Sequence, residues 1–203
     1  MLVSADKISA MMLDLQTRGC HNINLVSPTH VIPQILDALL IAAQKGLHLP
    51  LVYNTGGYDA ISTLKLLDRI IDIYMPDMKY SDAEIAKKYS LIPDYSFHNQ
   101  KAVKEMHLQV GDLELDNNGI AVRGLLVRHL VLPNNISGTK AIMDFLSRNI
   151  SINTYVNIMD QYRPEYHARQ FPELFRRTSA DEFQTAVDLA ICCGIERIDH
   201  LMP

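Results

Sequence analysis

The chain has no tryptophan and only three cysteines, Cys20, Cys192 and Cys193, among 203 residues. Three thiols so placed make no disulfide framework and fit a reducing cytoplasm. They also make no spaced thiolate cluster. No apolar run approaches the roughly 20 residues that span a bilayer, so no membrane partner is expected. The opening Met1-Leu2-Val3-Ser4-Ala5-Asp6 lacks the basic-then-apolar layout of a signal peptide. Basic residues are not in excess: 19 Lys and Arg face 23 Asp and Glu, for a formal net charge of −4. A general basic footprint for nucleic acid is therefore absent. There is no Walker loop, no Gly-x-Gly-x-x-Gly and no Gly-x-Ser-x-Gly. His21, His98, His107, His129 and His200 show no HExxH or comparable metal spacing and read as structural. Cys192 and Cys193 sit on the last helix and read as buried small apolar residues. A hydrolase of the ordinary barrel type would need paired carboxylates or a nucleophile with its base, and neither is recognisable.

What is present is a globular balance, 48% hydrophobic and 21% charged, in a length that suits one α/β domain over residues 1–203. Ser4 reads as the N-cap of a helix whose face is Ile8, Met11, Met12 and Leu15, ended by Gly19. A strand over Ile23–Val26 follows, then a helix carrying Ile32, Ile35, Leu36 and Leu39 with Pro33 in its first turn. The pattern continues with a strand over Pro50–Tyr53, a helix over Asp59–Leu67 and a strand over Ile70–Tyr74. Residues 81–122 read as a helical insertion ending in a hairpin around Asp116-Asn117-Asn118-Gly119. Leu125–Leu132 is the most apolar strand, Thr139–Ser147 a helix and Tyr155–Met159 a strand. The last helix opens on the capping box Ser179-x-x-Glu182 and packs through Phe183, Ala186, Val187 and Ala190. Ile195–Ile198 reads as a final short strand. Strands alternating with helices predict parallel pairing with right-handed crossovers. Residues 161–178, polar and aromatic with Pro164 and Pro172, read as a loop folding over a site at the barrel mouth.

Parallel α/β proteins carry their chemistry at the C-terminal ends of strands, and there the unusual residues fall. The ends read Ser27-Pro28-Thr29-His30, Asn54-Thr55-Gly56-Gly57-Tyr58 and Met75-Pro76-Asp77-Met78-Lys79. Farther on come Arg128-His129 and Asn157 with Gln161. The Asn54–Gly57 run is a turn with a helix cap, or a site offering side-chain oxygens and a backbone a ligand can approach. Asp77 and Lys79, two apart on an extended backbone, point the same way. They form a surface ion pair or line a barrel mouth, and the apolar run before them favours the mouth. Arg128 interrupts an apolar strand, so it needs a carboxylate or an anionic ligand.

The runs His21–His30, Val52–Tyr58, Asp72–Tyr80, Arg123–Pro133 and Tyr155–Met159 together resemble radical S-adenosylmethionine (SAM) proteins of the pyruvate formate-lyase activating enzyme-like branch. The resemblance covers nearly the whole chain. It implies an α/β fold, a partial (β/α) TIM-like parallel barrel with SAM lying across the strand ends. It also implies an oxidoreductase holding a [4Fe–4S] cluster, which cleaves SAM reductively to a 5′-deoxyadenosyl radical for hydrogen abstraction. A reductant such as flavodoxin or ferredoxin follows from the resemblance. So does a substrate that is either a protein of the glycyl-radical-enzyme kind or a small molecule. Asn54-Thr55-Gly56-Gly57 and Met75-Pro76-Asp77-Met78-Lys79 match stretches that line the family's SAM site. Asn54 stands where those stretches carry aspartate, which weakens the case for a cation site. Ser27, Thr29 and His30 occupy the place of the family's amine-binding Gly-Gly-Glu segment, by position and not by identity. Arg128 matches a family arginine, and Asn157 and Gln161 sit where the sixth strand reaches the pocket.

The family's Cys-x3-Cys-x2-Cys motif is absent from these residues, and Cys20, Cys192 and Cys193 cannot replace it by spacing. The motif and the first barrel strand would precede Ser4, so the expectation is a barrel lacking that strand and its cluster loop. Such a chain would hold no cluster, bind SAM weakly or undetectably and be inactive alone. Its strand Ile23–Val26 would be an open edge inviting self-association. The alternative is a non-catalytic small-molecule-binding or protein-interaction module without the cluster segment. An in-frame Cys-x3-Cys-x2-Cys upstream of Met1 separates the two.

Overall fold

The computed structural model describes residues 3–199. Its helices begin where side chains satisfy their first backbone N–H groups. Ser4 accepts the Lys7 N–H to open α1 (Ala5–Thr17), and Asp82 accepts the Ile85 N–H to open α4 (Ala83–Ser90). Ser179 and Glu182 form a complete capping box at the start of α7 (Ala180–Cys192). Pro33 sits in the first turn of α2 (Ile32–Gln44), where its missing N–H costs nothing.

The strands are β1 (Ile23–Val26), β2 (Leu51–Thr55), β3 (Ile73–Pro76), β4 (Glu114–Leu115), β5 (Ala121–Leu130) and β6 (Tyr155–Met159). Order across the sheet is β1-β2-β3-β5, with β6 on the far side of β5; these five are parallel. Only β4 runs antiparallel, pairing with the first residues of β5 across the Asp116–Gly119 turn. Between strands run α2, α3 (Ile61–Leu66), α4 with α5 (Tyr95–Val110), and α6 (Thr139–Asn149). The fold is thus an α/β partial barrel whose sheet stays open among the described residues. Among the described residues β1 pairs only with β2, and Val26 is 67% exposed.

Strand alternation separates two faces. Tyr53, Tyr74, Leu125, Val127, Val156 and Ile158 face the helices and join Leu39, Leu64, Met106, Ile142 and Val187 in the main core. On the inner face Val52, Ile73, Leu113 and Tyr155 pack with Met75, Ala121 and Leu126. Farther along the same inward-pointing positions, apolar residues give way to Asn54, Asp77, Arg128 and Asn157. Gly124 marks where β5 leaves its hairpin and joins the parallel sheet. Its φ is +112°, and a Cβ there would overlap the backbone of Asp112 and Leu113.

The structure shifts some sequence expectations. The third strand begins at Ile73, not Ile70. Ile70 and Ile71 belong to a turn whose N–H groups bond Leu67 O, and Ile71 plugs the core from there at 2% exposure. An apolar run here marks a buried turn, not extended backbone. The expected last strand is reduced to one parallel bridge, Val156 to Ile198. Cys192 is exposed and Cys193 half-buried with its Sγ 3.4 Å from Asp144 Oδ1, so the pair is not buried as expected. The helix end turns both thiols partly outward. Of the histidines, His200 lies outside the described residues.

Candidate functional site

The site is assembled where β3 ends beside β5. Asp77 N–H donates to Thr55 O at 2.9 Å and Met78 N–H to Arg128 O at 2.8 Å, which carries the ladder past Pro76. That register sets Asp77 directly against Arg128. Arg128 Nε and Nη2 lie 2.8 and 2.6 Å from the same Asp77 oxygen, Oδ1. Lys79 Nζ stands 3.3 Å from the other oxygen, Oδ2. One carboxylate therefore serves two cations, with side chains 13% exposed for Asp77 and 26% for Arg128. These three line a cleft of about 400 Å³ with Gln161, Tyr162 and Arg163 from the segment after β6.

Helix α5 braces this end of the sheet from behind. The Tyr95 hydroxyl lies 3.0 Å from Gly56 O and 3.1 Å from Asp77 O, and accepts the Lys79 N–H at 3.2 Å. Burial, the largest influence, pushes the Tyr95 hydroxyl well above its ordinary pKa, so it stays a donor. Asn99 donates both amide hydrogens, to Gly57 O at 3.0 Å and Asp77 O at 2.8 Å. Gly57 has φ +75°, and a Cβ there would overlap Asn99 Nδ2 and Asp77 O. The two loops are thereby clamped together through their carbonyls.

A second polar knot lies beside it. Buried Asp59 accepts hydrogen bonds from Thr29 Oγ1 at 2.8 Å, Tyr53 OH at 2.8 Å and Thr55 Oγ1 at 2.7 Å. Burial foremost, and then the Asp59 charge, raise the Tyr53 pKa.

Of the sequence candidates, Asp77, Lys79 and Arg128 are brought into contact, and Gln161 lines their cleft. Gly56 lies close to the Lys79 ammonium. Asn54 is on the inner face, 8% exposed, and its amide has no hydrogen-bond partner among the described residues. Asn157 is in register with Arg128, but its amide donates to Asp199 Oδ2 at 2.8 Å. Thr29 and Thr55 spend their hydroxyls on Asp59. Met75 packs on the inner apolar patch. Ser27 is exposed with φ +51°, its N–H bonding Asn54 O, and His30 is exposed beside it. Reasoning from the sequence missed Tyr95, Asn99, Asp59, Tyr162 and Arg163. A signal for Asn99 existed: it shares the buried stripe Tyr95, Asn99, Ala102, Val103, Met106 on α5, and a polar residue on such a stripe needs partners.

The thiols do not fit a cluster at this mouth. Cys20 precedes β1, and Cys193 precedes Ile198, which pairs with the start of β6. Both thus lie toward the N-terminal ends of the strands, opposite the cleft. No group of three His, Cys, Asp or Glu able to hold a metal occurs among the described residues. No helix among them is long and apolar enough to cross a membrane.

No family model matches the chain. It is similar to the uncharacterized protein MJ0674 of Methanocaldococcus jannaschii, with 33% identity over 172 residues, covering 83% of this chain and 46% of that protein. The chain spans about half the length of that curated relative. Among solved structures it resembles a domain of pyruvate-formate lyase-activating enzyme from Bacteroides vulgatus, with TM-score 0.60 and 13% identity over 86% of this chain and 96% of that one. It also resembles HydG, a maturase of the [FeFe]-hydrogenase, with TM-score 0.63 and 12% identity over 98% of this chain and 44% of that one. At such identities the likeness is one of fold alone.

Proposed function

We propose that this chain is the SAM-binding barrel of a cytoplasmic radical SAM enzyme of the activating-enzyme-like kind. The observation that carries the reading is the Asp77–Arg128–Lys79 cluster at the strand ends, beside the unpartnered Asn54 amide, in a radical SAM-like fold. SAM presents an ammonium, a carboxylate, a sulfonium and a ribose. Asp77 suits the ammonium or a ribose hydroxyl, and Lys79 and Arg128 suit the carboxylate. The Asn54 amide can accept and donate toward the ligand. Gly56 lets it approach the backbone.

In an enzyme of this kind the [4Fe–4S] cluster supplies the electron that splits SAM. The donor set of these residues does not fit that cluster, and the chain by itself is expected to be inactive. The test is to read the coding sequence upstream for an in-frame Cys-x3-Cys-x2-Cys and to express the chain joined to it. After anaerobic iron and sulfide reconstitution, reductant should release methionine and 5′-deoxyadenosine from SAM. Asp77→Ala and Arg128→Ala should each lower that release at least about tenfold, or about 1.4 kcal/mol in barrier. Unchanged cleavage in both variants would place the site elsewhere.

A further inference from the structure

We propose that the mouth cleft has a second ligand besides SAM: a small organic anion, bearing a carboxylate or a phosphate ester, held by Arg163 beside Gln161 and Tyr162. The inference rests on the reading above and deepens it by naming the substrate class of the same site.

The argument begins with charge. The cleft is lined by three cations, Lys79, Arg128 and Arg163, against one carboxylate, Asp77. Its local balance is +2 in a chain whose formal charge is −4. Asp77 is already engaged on both oxygens, Oδ1 by Arg128 and Oδ2 by Lys79. Arg163 is exposed and has no hydrogen bond or ion pair among the described residues. Its five donors therefore stand free at the edge of a concave site, where a guanidinium meets a carboxylate or phosphate two-pronged.

SAM does not relieve this surplus. Its sulfonium and ammonium outnumber its single carboxylate, so a bound SAM adds positive charge to the same mouth. A co-substrate of opposite sign restores the balance. Gln161 and Tyr162 add an amide and an aromatic wall next to Arg163. Tyr162 is fixed by its own hydroxyl, which donates to Leu174 O at 3.0 Å. The wall is thus preformed.

The test is titration of the chain at low ionic strength, without SAM or cluster, with benzoate, phenyl phosphate and the charge-reversed control benzylamine, followed by NMR. Both anions should bind saturably, with shifts at Gln161, Tyr162 and Arg163, and benzylamine should not. Arg163→Gln, an exposed change that spares the core, should weaken the anions about tenfold. The tighter of the two anions identifies the headgroup, carboxylate or phosphate. No saturable anion binding, equal binding of benzylamine, or anion affinity indifferent to Arg163→Gln would each overturn the proposal. A parallel SAM titration of the same samples keeps the two readings apart, since Arg163 has no part in the proposed SAM contacts.

Discussion

Arg128 places both Nε and Nη2 on one oxygen of Asp77, at 2.8 and 2.6 Å, and leaves the other oxygen to Lys79. The pairing is dictated by register, since Asp77 and Arg128 are bridge partners across β3 and β5. The pair is thus both part of the wall and the polar centre of the mouth. Asp77→Ala should cost about 1–3 kcal/mol, between the limits for exposed and fully buried pairs, because it strands two cations. Replacing Arg128 by Met in that background should recover part of the loss. Urea unfolding of the four proteins checks this, and simple additivity would show that the pair contributes no coupling.

The loop after β2 offers a contrast between neighbours. Gly57→Ala should destabilise by about 2 kcal/mol or more, because its φ is +75° and a Cβ would strike Asn99 and Asp77 O. Gly56→Ala meets only Lys79 Nζ at an ordinary 3.7 Å, and should stay within about 0.5 kcal/mol of the parent. Thermal melts of the two variants decide it; equal losses would refute the clamp.

His129 predicts an acid-sensitive fold. It is fully buried, with Nδ1 2.9 Å from Met78 O and Nε2 2.9 Å from Thr139 Oγ1. A carbonyl only accepts, so Nδ1 carries the proton and Nε2 accepts from Thr139. Burial pushes its pKa from 6.5 down to about 4. The unfolded chain therefore takes up a proton at this site below about pH 6.5 while the folded one stays neutral. Stability should fall as pH drops from about 6.5 toward 4, by up to about 3 kcal/mol from this residue. Chemical unfolding across that range should show the slope in the parent and a shallower one in His129→Gln; identical slopes would assign it to other groups.

The segment between β6 and α7 is tied at two points. Glu173 accepts from Lys88 and Tyr89 on α4. Arg176 grips both oxygens of Glu182, which also accepts the Asn134 N–H. The Arg176 guanidinium holds Glu182 far below the usual carboxylate range. Glu182→Ala removes half the capping box as well and should cost about 1 kcal/mol. Hydrogen exchange should quicken over residues 161–178 in Glu182→Ala and Glu173→Ala; unchanged protection would show the ties are dispensable.

The alternation of strands and helices was legible because helical and strand periodicities differ, and caps such as Ser4 and Ser179 marked starts. The polar strand ends were legible for the same reason: Asp77, Lys79 and Arg128 interrupt apolar runs. What escaped depends on chain crossings. Ile70 and Ile71 look like a strand and form a buried turn, since burial alone sets their composition. Tyr95 and Asn99 lie 16 and more residues from the loops they clamp, and only the packing of α5 reveals them. Thr29 and Thr55 read as ligand contacts, yet a buried carboxylate, Asp59, claims both hydroxyls.

The central claim is that SAM lies across these strand ends, and NMR titration of the isotopically labelled chain with SAM tests it most directly. Without the cluster, affinity should fall to about the millimolar range, near −4 kcal/mol. The predicted result is saturable shifts confined to Asn54, Gly56, Asp77, Lys79 and Arg128, lost in Asp77→Ala that remains folded. Shifts confined to another surface at millimolar SAM would contradict it.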